Sequence, residues 1–250
     1  MNYNFNDNTL LHSVMFNPFK LESILQNGII SFNEASKSNF SFTRNTFGYN
    51  FDDYISMTRY MYVSFGDKNT SFYNYTLKGI TLIVEDQDFI YNQNEMYFNY
   101  PDEVFIKDKV DKENIKGILL PLKYLDYLLE ELPMFNLKST SYVNIKHTCD
   151  DLINYLKTLN YDVNMPLYNI YLNDLYQVVL KLQKDENNSM LLEEFMECKI
   201  SLNEFIAKEV QNAFDKKFNK KITTLEEMAT FIAEKYNKKI YYIDNLKYVR

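Results

Sequence analysis

Few residues in this chain could carry imidazole or thiol chemistry. His12 and His147 are its two histidines, and Cys149 and Cys198 its two cysteines. A metal centre or a Ser-His-Asp triad therefore has very few ways to be built, and no metal is expected. The sequence contains no P-loop, GxGxxG, GxSxG, HExxH or CxxC segment. His147 and Cys149 stand two apart beside a predicted helix start. Side chains at that spacing do not face each other, so no nucleophile–base pair is expected there. His147 reads as a surface or capping histidine, and the cysteines as reduced structural thiols. His12 has a different context, at the end of the short apolar segment Leu10-Leu11-His12-Ser13. Ser56 and Thr58 alternate with Met57 in a second such segment that runs into Arg59, and Glu103 heads a third, Glu103-Val104-Phe105-Ile106. By themselves these also fit plainer roles: Glu103 as a solvent-facing strand residue, Ser56 and Thr58 as one polar strand face, Arg59 as a solvated charge.

The elements that carry these residues divide into two halves of different periodicity. Up to about residue 121 the pattern is α+β. Phe19, Leu21, Ile24 and Leu25 have helical spacing and stop at Asn27-Gly28, with glycine in the left-handed position. Ile29 to Ser31 reads as a short strand and 32–53 as a long polar loop of the kind that covers a site. Short β-branched or aromatic runs at 54–58, 62–65, 79–84, 103–106 and 115–120 read as strands. Beyond Pro121 the leucines take helical spacing, first over 122–132 up to Pro133, then near 148–160, 166–184, 189–198, 201–218 and 223–237. Thr148, Ser201 with Glu204, and Thr224 with Glu227 are the predicted N-caps. Ile240 to Ile243 fits either a strand or a helix end. The expected organisation is a domain over 1–121 followed by an all-α region over 122–250.

Composition narrows the function classes. The chain has 250 residues, 46% hydrophobic and 24% charged, the balance of a globular protein. Five glycines and five prolines exclude a collagen-like or Gly-rich linker chain. A net charge of −7 provides no chain-wide basic footprint for nucleic acid. No run of about 18 apolar residues is present, so no transmembrane helix is expected. Met1 to Thr9 is polar, without the features of a signal peptide, so a cytoplasmic location is expected.

Five segments, in order, resemble the ADP-ribosyltransferase family. Leu10-Leu11-His12-Ser13 with Leu21 to Ile29 is similar to its opening, a strand-end histidine followed by a helix of the form xxILxxGI. Tyr54 to Arg59 resembles the (I/V)SxTR strand of a bacterial and phage branch, and Gly79 to Glu85 the GxxxLVLD strand. Tyr100 to Ile106 resembles the strand of the catalytic glutamate, and Ile115 to Ile118 the IKGI strand that closes the domain. His12, Ser56 and Glu103 fall about 45 residues apart, and the likeness covers roughly half the chain.

The resemblance implies an ADP-ribosyltransferase-like domain with a split mixed β-sheet, using NAD as substrate. In it Glu103 is the catalytic carboxylate, hydrogen-bonded to a ribose hydroxyl so that positive charge on the ribose is stabilised as nicotinamide leaves. His12, with Ser13 beside it, binds a ribose of NAD. Ser56 and Thr58 orient the glutamate and a ribose, Arg59 meets a phosphate, and Tyr60 or Tyr62 stacks on nicotinamide. Ser13 stands where glycine is commoner, and Pro101 where arginine-modifying members carry Gln or Glu. The implied acceptor is a macromolecule, with the acidic balance favouring protein over nucleic acid, and the implied role is that of a bacterial or phage effector or toxin. Two alternatives stay open: an NAD glycohydrolase, and a non-enzymatic interaction protein on a degenerate fold. The helices are assigned to target recognition or to capping the NAD site.

Overall fold

The computed structural model describes residues 3–6, 8–14, 17–37, 54–59, 80–85, 103–120 and 139–242. The expected elements at 62–65 and 122–132, most of the polar segment 32–53, and the residues Tyr60, Tyr62 and Pro101 lie outside them. The chain divides into two compact units, one holding the sheets and one holding helices. The class is α+β, with a mixed six-stranded sheet and a helical stretch toward the C-terminus.

The sheet unit begins with β1 (Thr9–Val14), α1 (Pro18–Asn27), β2 (Ile29–Ile30) and α2 (Phe32–Lys37). It continues with β3 (Tyr54–Arg59), β4 (Ile80–Glu85), β5 (Glu103–Lys107), β6 (Lys109–Val110) and β7 (Ile115–Leu120). The large sheet has the order β5-β3-β1-β4-β7-β8, and β2 with β6 makes a separate antiparallel pair. β8 (Lys239–Tyr242) lies parallel to β7, while every other pair in the large sheet is antiparallel. β4 and β7 are central, and their residues Ile80 to Val84 and Ile118 to Leu120 are all fully buried. Near-continuous burial of this kind marks strands covered on both faces.

α1 forms where expected. Asn17 Oδ1 accepts from the amides of Phe19 and Lys20 at 2.9 and 3.2 Å, and Pro18 occupies the first helical position, where its missing N–H costs nothing. Gly28 stops the helix at φ +92°, and a Cβ there would stand 2.2 Å from the Val110 carbonyl. Glycine is thus required twice over, by conformation and by the approach of β6. Part of the segment expected as loop is helical instead: α2 follows Ser31, whose Oγ accepts from the Glu34 amide at 3.4 Å while its carbonyl accepts from the Ala35 amide.

The helical unit contains α3 (Ser139–Thr158), α4 (Met165–Leu182) and α5 (Ser189–Phe218). α3 starts nine residues before the expected 148, so position 148 lies inside the helix and not at its start. α5 is one helix where two were expected. The Ser201 hydroxyl donates back to the Glu197 carbonyl at 3.0 Å, which satisfies it within the helix instead of at a cap. Phe195, Lys199, Leu202 and Ile206 carry one buried stripe across the expected break. Tyr168 donates to Asp150 Oδ1 at 2.8 Å between α4 and α3, and Tyr171 packs on Phe205 of α5 with ring centroids 5.5 Å apart.

The expected all-α region over 122–250 differs at its end. α6 (Leu225–Lys235) and β8 belong to the sheet unit. α6 buries Met228, Ala229, Ile232 and Ala233, and Lys235 Nζ reaches Glu22 Oε1 of α1 at 2.7 Å. β8 completes the sheet on β7. Gly117 makes this fit, since a Cβ there would meet the Tyr241 ring at 2.7 Å.

Candidate functional site

Adjacent strands β5, β3 and β1 bring most of the expected residues into one neighbourhood. On β3, Thr58 stands opposite Glu103 of β5, and Ser56 opposite Phe105. On the other side of β3, Thr58 is the partner of Leu11 and Arg59 of Leu10. Two strand spacings separate β1 from β5, about 10 Å. Ser13 falls on β1 opposite Thr81 of β4. Tyr62 lies outside the described residues, and for Ser13, Arg59 and Glu103 only the backbone is described.

Among the described residues the ladder between β1 and β3 pairs Leu10 and Leu11 and does not extend to His12, although β1 continues along β4 to Val14 and β3 continues along β5 to Tyr54. The two strands part at His12. There the Ser56 carbonyl is engaged by a side chain: His12 Nδ1 lies 2.9 Å from it. A carbonyl only accepts, so Nδ1 carries the hydrogen and Nε2 is left as an acceptor. Nε2 makes no hydrogen bond to a described residue. Burial pushes the ring's pKa down to about 4, the nearby Lys20 cation pushes the same way, and the hydrogen bond with Ser56 opposes them. At neutral pH His12 is therefore an uncharged, oriented acceptor.

Strand alternation separates the candidates. Leu11, paired with Thr58, shares a face with Ser56 and Thr58, and Leu11 packs in a cluster with Ile83, Leu119 and Tyr241. His12, one residue on, belongs to the opposite face. The structure thus brings His12 to the Ser56 backbone, while the register sets the position of Thr58, and with it that of its partner Glu103, on the other face of the sheet. Thr58 is 5% exposed, and Ser56 is partly buried.

Lys20 is a cation close enough to His12 to bear on its charge. It sits in the first turn of α1, partly buried between the core residues Phe19 and Leu21, and burial lowers its pKa.

The second histidine and the cysteines behave as ordinary structural groups. His147 is exposed on α3, and Cys149 is fully buried with its thiol pushed up to about 12 by burial. Asp150 beside it is held by Tyr168 and Lys146. Among the described residues no three His, Cys, Asp or Glu side chains gather as a metal site, and no described helix is long and apolar enough to cross a membrane. Neither a known family, nor a curated protein, nor a solved structure matches the chain.

Proposed function

We propose that the sheet unit has an ADP-ribosyltransferase-like fold and transfers ADP-ribose from NAD to a macromolecular acceptor. The supporting observation is the His12 site. A neutral imidazole is fixed by its Nδ1–H where β1 and β3 part, and it presents Nε2 as an acceptor suited to a ribose hydroxyl. The motif order of His12, Ser56 and Glu103 adds to this. A six-stranded mixed sheet accompanied by a separate two-stranded one is compatible with the split sheet of that family.

In this reading the bond between nicotinamide nitrogen and ribose C1 breaks, and nicotinamide leaves with the electron pair. Positive charge grows on the ribose, and the Glu103 carboxylate, held on the 2′-hydroxyl, stabilises it. The acceptor then attacks C1 and loses its proton. A protein acceptor suits the net charge of −7 better than nucleic acid does. A bacterial or phage effector acting in a cytoplasm is the biological setting this reading carries.

Incubation of the protein with labelled NAD and a bacterial lysate, beside Glu103→Ala, tests the proposal. Label on a macromolecule with the wild type alone supports transfer. Nicotinamide release without label in lysates of several sources identifies a glycohydrolase. Absence of both, with no NAD binding by calorimetry, overturns the enzymatic reading.

A further inference from the structure

We propose that the segment ahead of β1 is a latched strap, and that its release opens the sheet face on which Glu103 stands. The strap is read from its own contacts; that it admits NAD rests on the function proposed above.

The turn into β1 folds this segment back over the sheet. The Asn6 carbonyl accepts from the Thr9 amide at 2.9 Å, and Thr9 Oγ1 accepts from the Asn6 amide at 3.0 Å. Asn6 Oδ1 accepts from the Asn8 amide at 2.8 Å. Ahead of the turn, Tyr3 and Phe5 pack on Leu11, Ile83, Leu119 and Tyr241. The Tyr3 ring stands edge-on to Phe5 at 4.9 Å and to Tyr241 at 5.3 Å. Its hydroxyl donates to the carboxylate of Glu85, the last residue of β4.

Strand register says which face the strap covers. Directly paired residues share a face of a sheet. Leu11 pairs with Ile83 on one side and with Thr58 on the other, and Thr58 pairs with Glu103. Glu103, Thr58, Leu11 and Ile83 therefore form one row, and the strap lies on the Leu11–Ile83 end of it. Two strand spacings, about 10 Å, separate Leu11 from Glu103.

A strap of this build can open while the sheet stays closed. Leu11, Ile83 and Leu119 are fully buried beneath it, whereas Tyr3 and Phe5 are partly buried and Asn4 and Asn6 exposed. The Tyr3 hydroxyl is its latch, and ring edges hold the rest, while β1 and β4 hold each other along a continuous ladder from Thr9 to Val14. Segments held so lightly open locally at free energies well below that of global unfolding. Opening lifts two aromatic rings off the row that ends at Glu103.

Chymotrypsin, which cuts after aromatic residues, tests the strap on the full chain. When reclosing is fast, the cutting rate follows the open fraction. Cutting after Phe5 is expected to be far slower in the full chain than in a free peptide of residues 1–9. Tyr3→Phe keeps the ring and removes the latch, and should speed that cut roughly ten-fold. Glu85→Ala should do the same, and the two together no more than either alone, since they remove one hydrogen bond. Equal cutting of chain and peptide, or rates that Tyr3→Phe and Glu85→Ala leave unchanged, overturns the strap. For access, calorimetry with NAD should show tighter binding by Tyr3→Phe, by the factor by which its cutting quickens, because a competent state populated only in part lowers the apparent affinity. Wild-type binding of NAD with no such gain in Tyr3→Phe overturns the access role and leaves the NAD reading standing. If neither form binds NAD, the NAD reading falls and the access role with it, and the cutting rates still decide the strap.

Discussion

His12 shows how a single hydrogen bond decides what an imidazole can do. The Ser56 carbonyl takes the Nδ1 proton, and Nε2 is left to accept. His12→Phe keeps the ring's bulk and removes both nitrogens. In the proposed reading it should raise the KM for NAD at least ten-fold, whereas Glu103→Gln should mainly lower kcat; steady-state nicotinamide release separates the two. The lowered pKa of about 4 also has a consequence for stability. The unfolded histidine titrates near 6.5, so between 6.5 and 4 the unfolded chain binds the extra proton. Stability from this group is fully present above 6.5 and falls as pH drops toward 4, by at most about 1.4 kcal/mol per pH unit. Urea unfolding at pH 7 and pH 5 should show that loss in the wild type and a smaller one in His12→Phe.

Among the elements, α1 is the most constrained, because it is pinned at both ends. Gly28 ends it in a left-handed conformation, directly against the Val110 carbonyl. Gly28→Ala is expected to cost about 2–4 kcal/mol in denaturant unfolding, since it adds backbone strain and a clash with rigid main chain. α1 is also clasped to α6, where the Glu22 side chain is only 7% exposed and rests on Lys235. Lys235→Met leaves that carboxylate buried without its cation, at a cost of roughly 1–3 kcal/mol near pH 7. The hydrogen bond with Glu22 raises the Lys235 pKa above its usual 10.5. The clasp therefore contributes fully at neutral pH and is lost only as pH rises through that raised value. The urea midpoint of the wild type, and not that of Lys235→Met, should carry the loss above pH 10.5.

At the scale of the whole molecule, the chain leaves the sheet unit after β7, builds the helical unit, and returns as α6 and β8. The return closes the edge of β7 and brings Tyr241 over Gly117, against Leu11, Ile83 and Leu119. Tyr3 packs edge-on to the Tyr241 ring at 5.3 Å and donates to the Glu85 carboxylate, so the start of the chain joins the same core. A chain ended at residue 224 would expose a buried strand edge and strip α1 of its partner helix. Such a truncation should aggregate or lose hydrogen-exchange protection in β4 and β7, while α4 and α5 keep theirs. If the sheet strands stay protected in it, the return is dispensable and this account of the fold fails.

Local chemistry alone determined a good part of this. Helical spacing closed by Asn27-Gly28 defined α1, because glycine's freedom at positive φ is a property of the residue itself. Short β-branched or aromatic runs located β3, β4, β5 and β7, since strand propensity is carried by consecutive residues. The order of His12, Ser56 and Glu103 was equally open to view. Tertiary structure decided the rest. Ser201 looked like a cap until the buried stripe of α5 ran past it, because a hydroxyl serves a helix interior as readily as a helix start. Ile240 and Tyr241 were ambiguous between strand and helix until β7 offered a ladder, and no four-residue run contains its own partner. The His12 tautomer depends on where β1 and β3 part, and that is settled by register between strands 40 and more residues apart. Residue types set what the site can do, and the pairing of distant strands set which residues meet there.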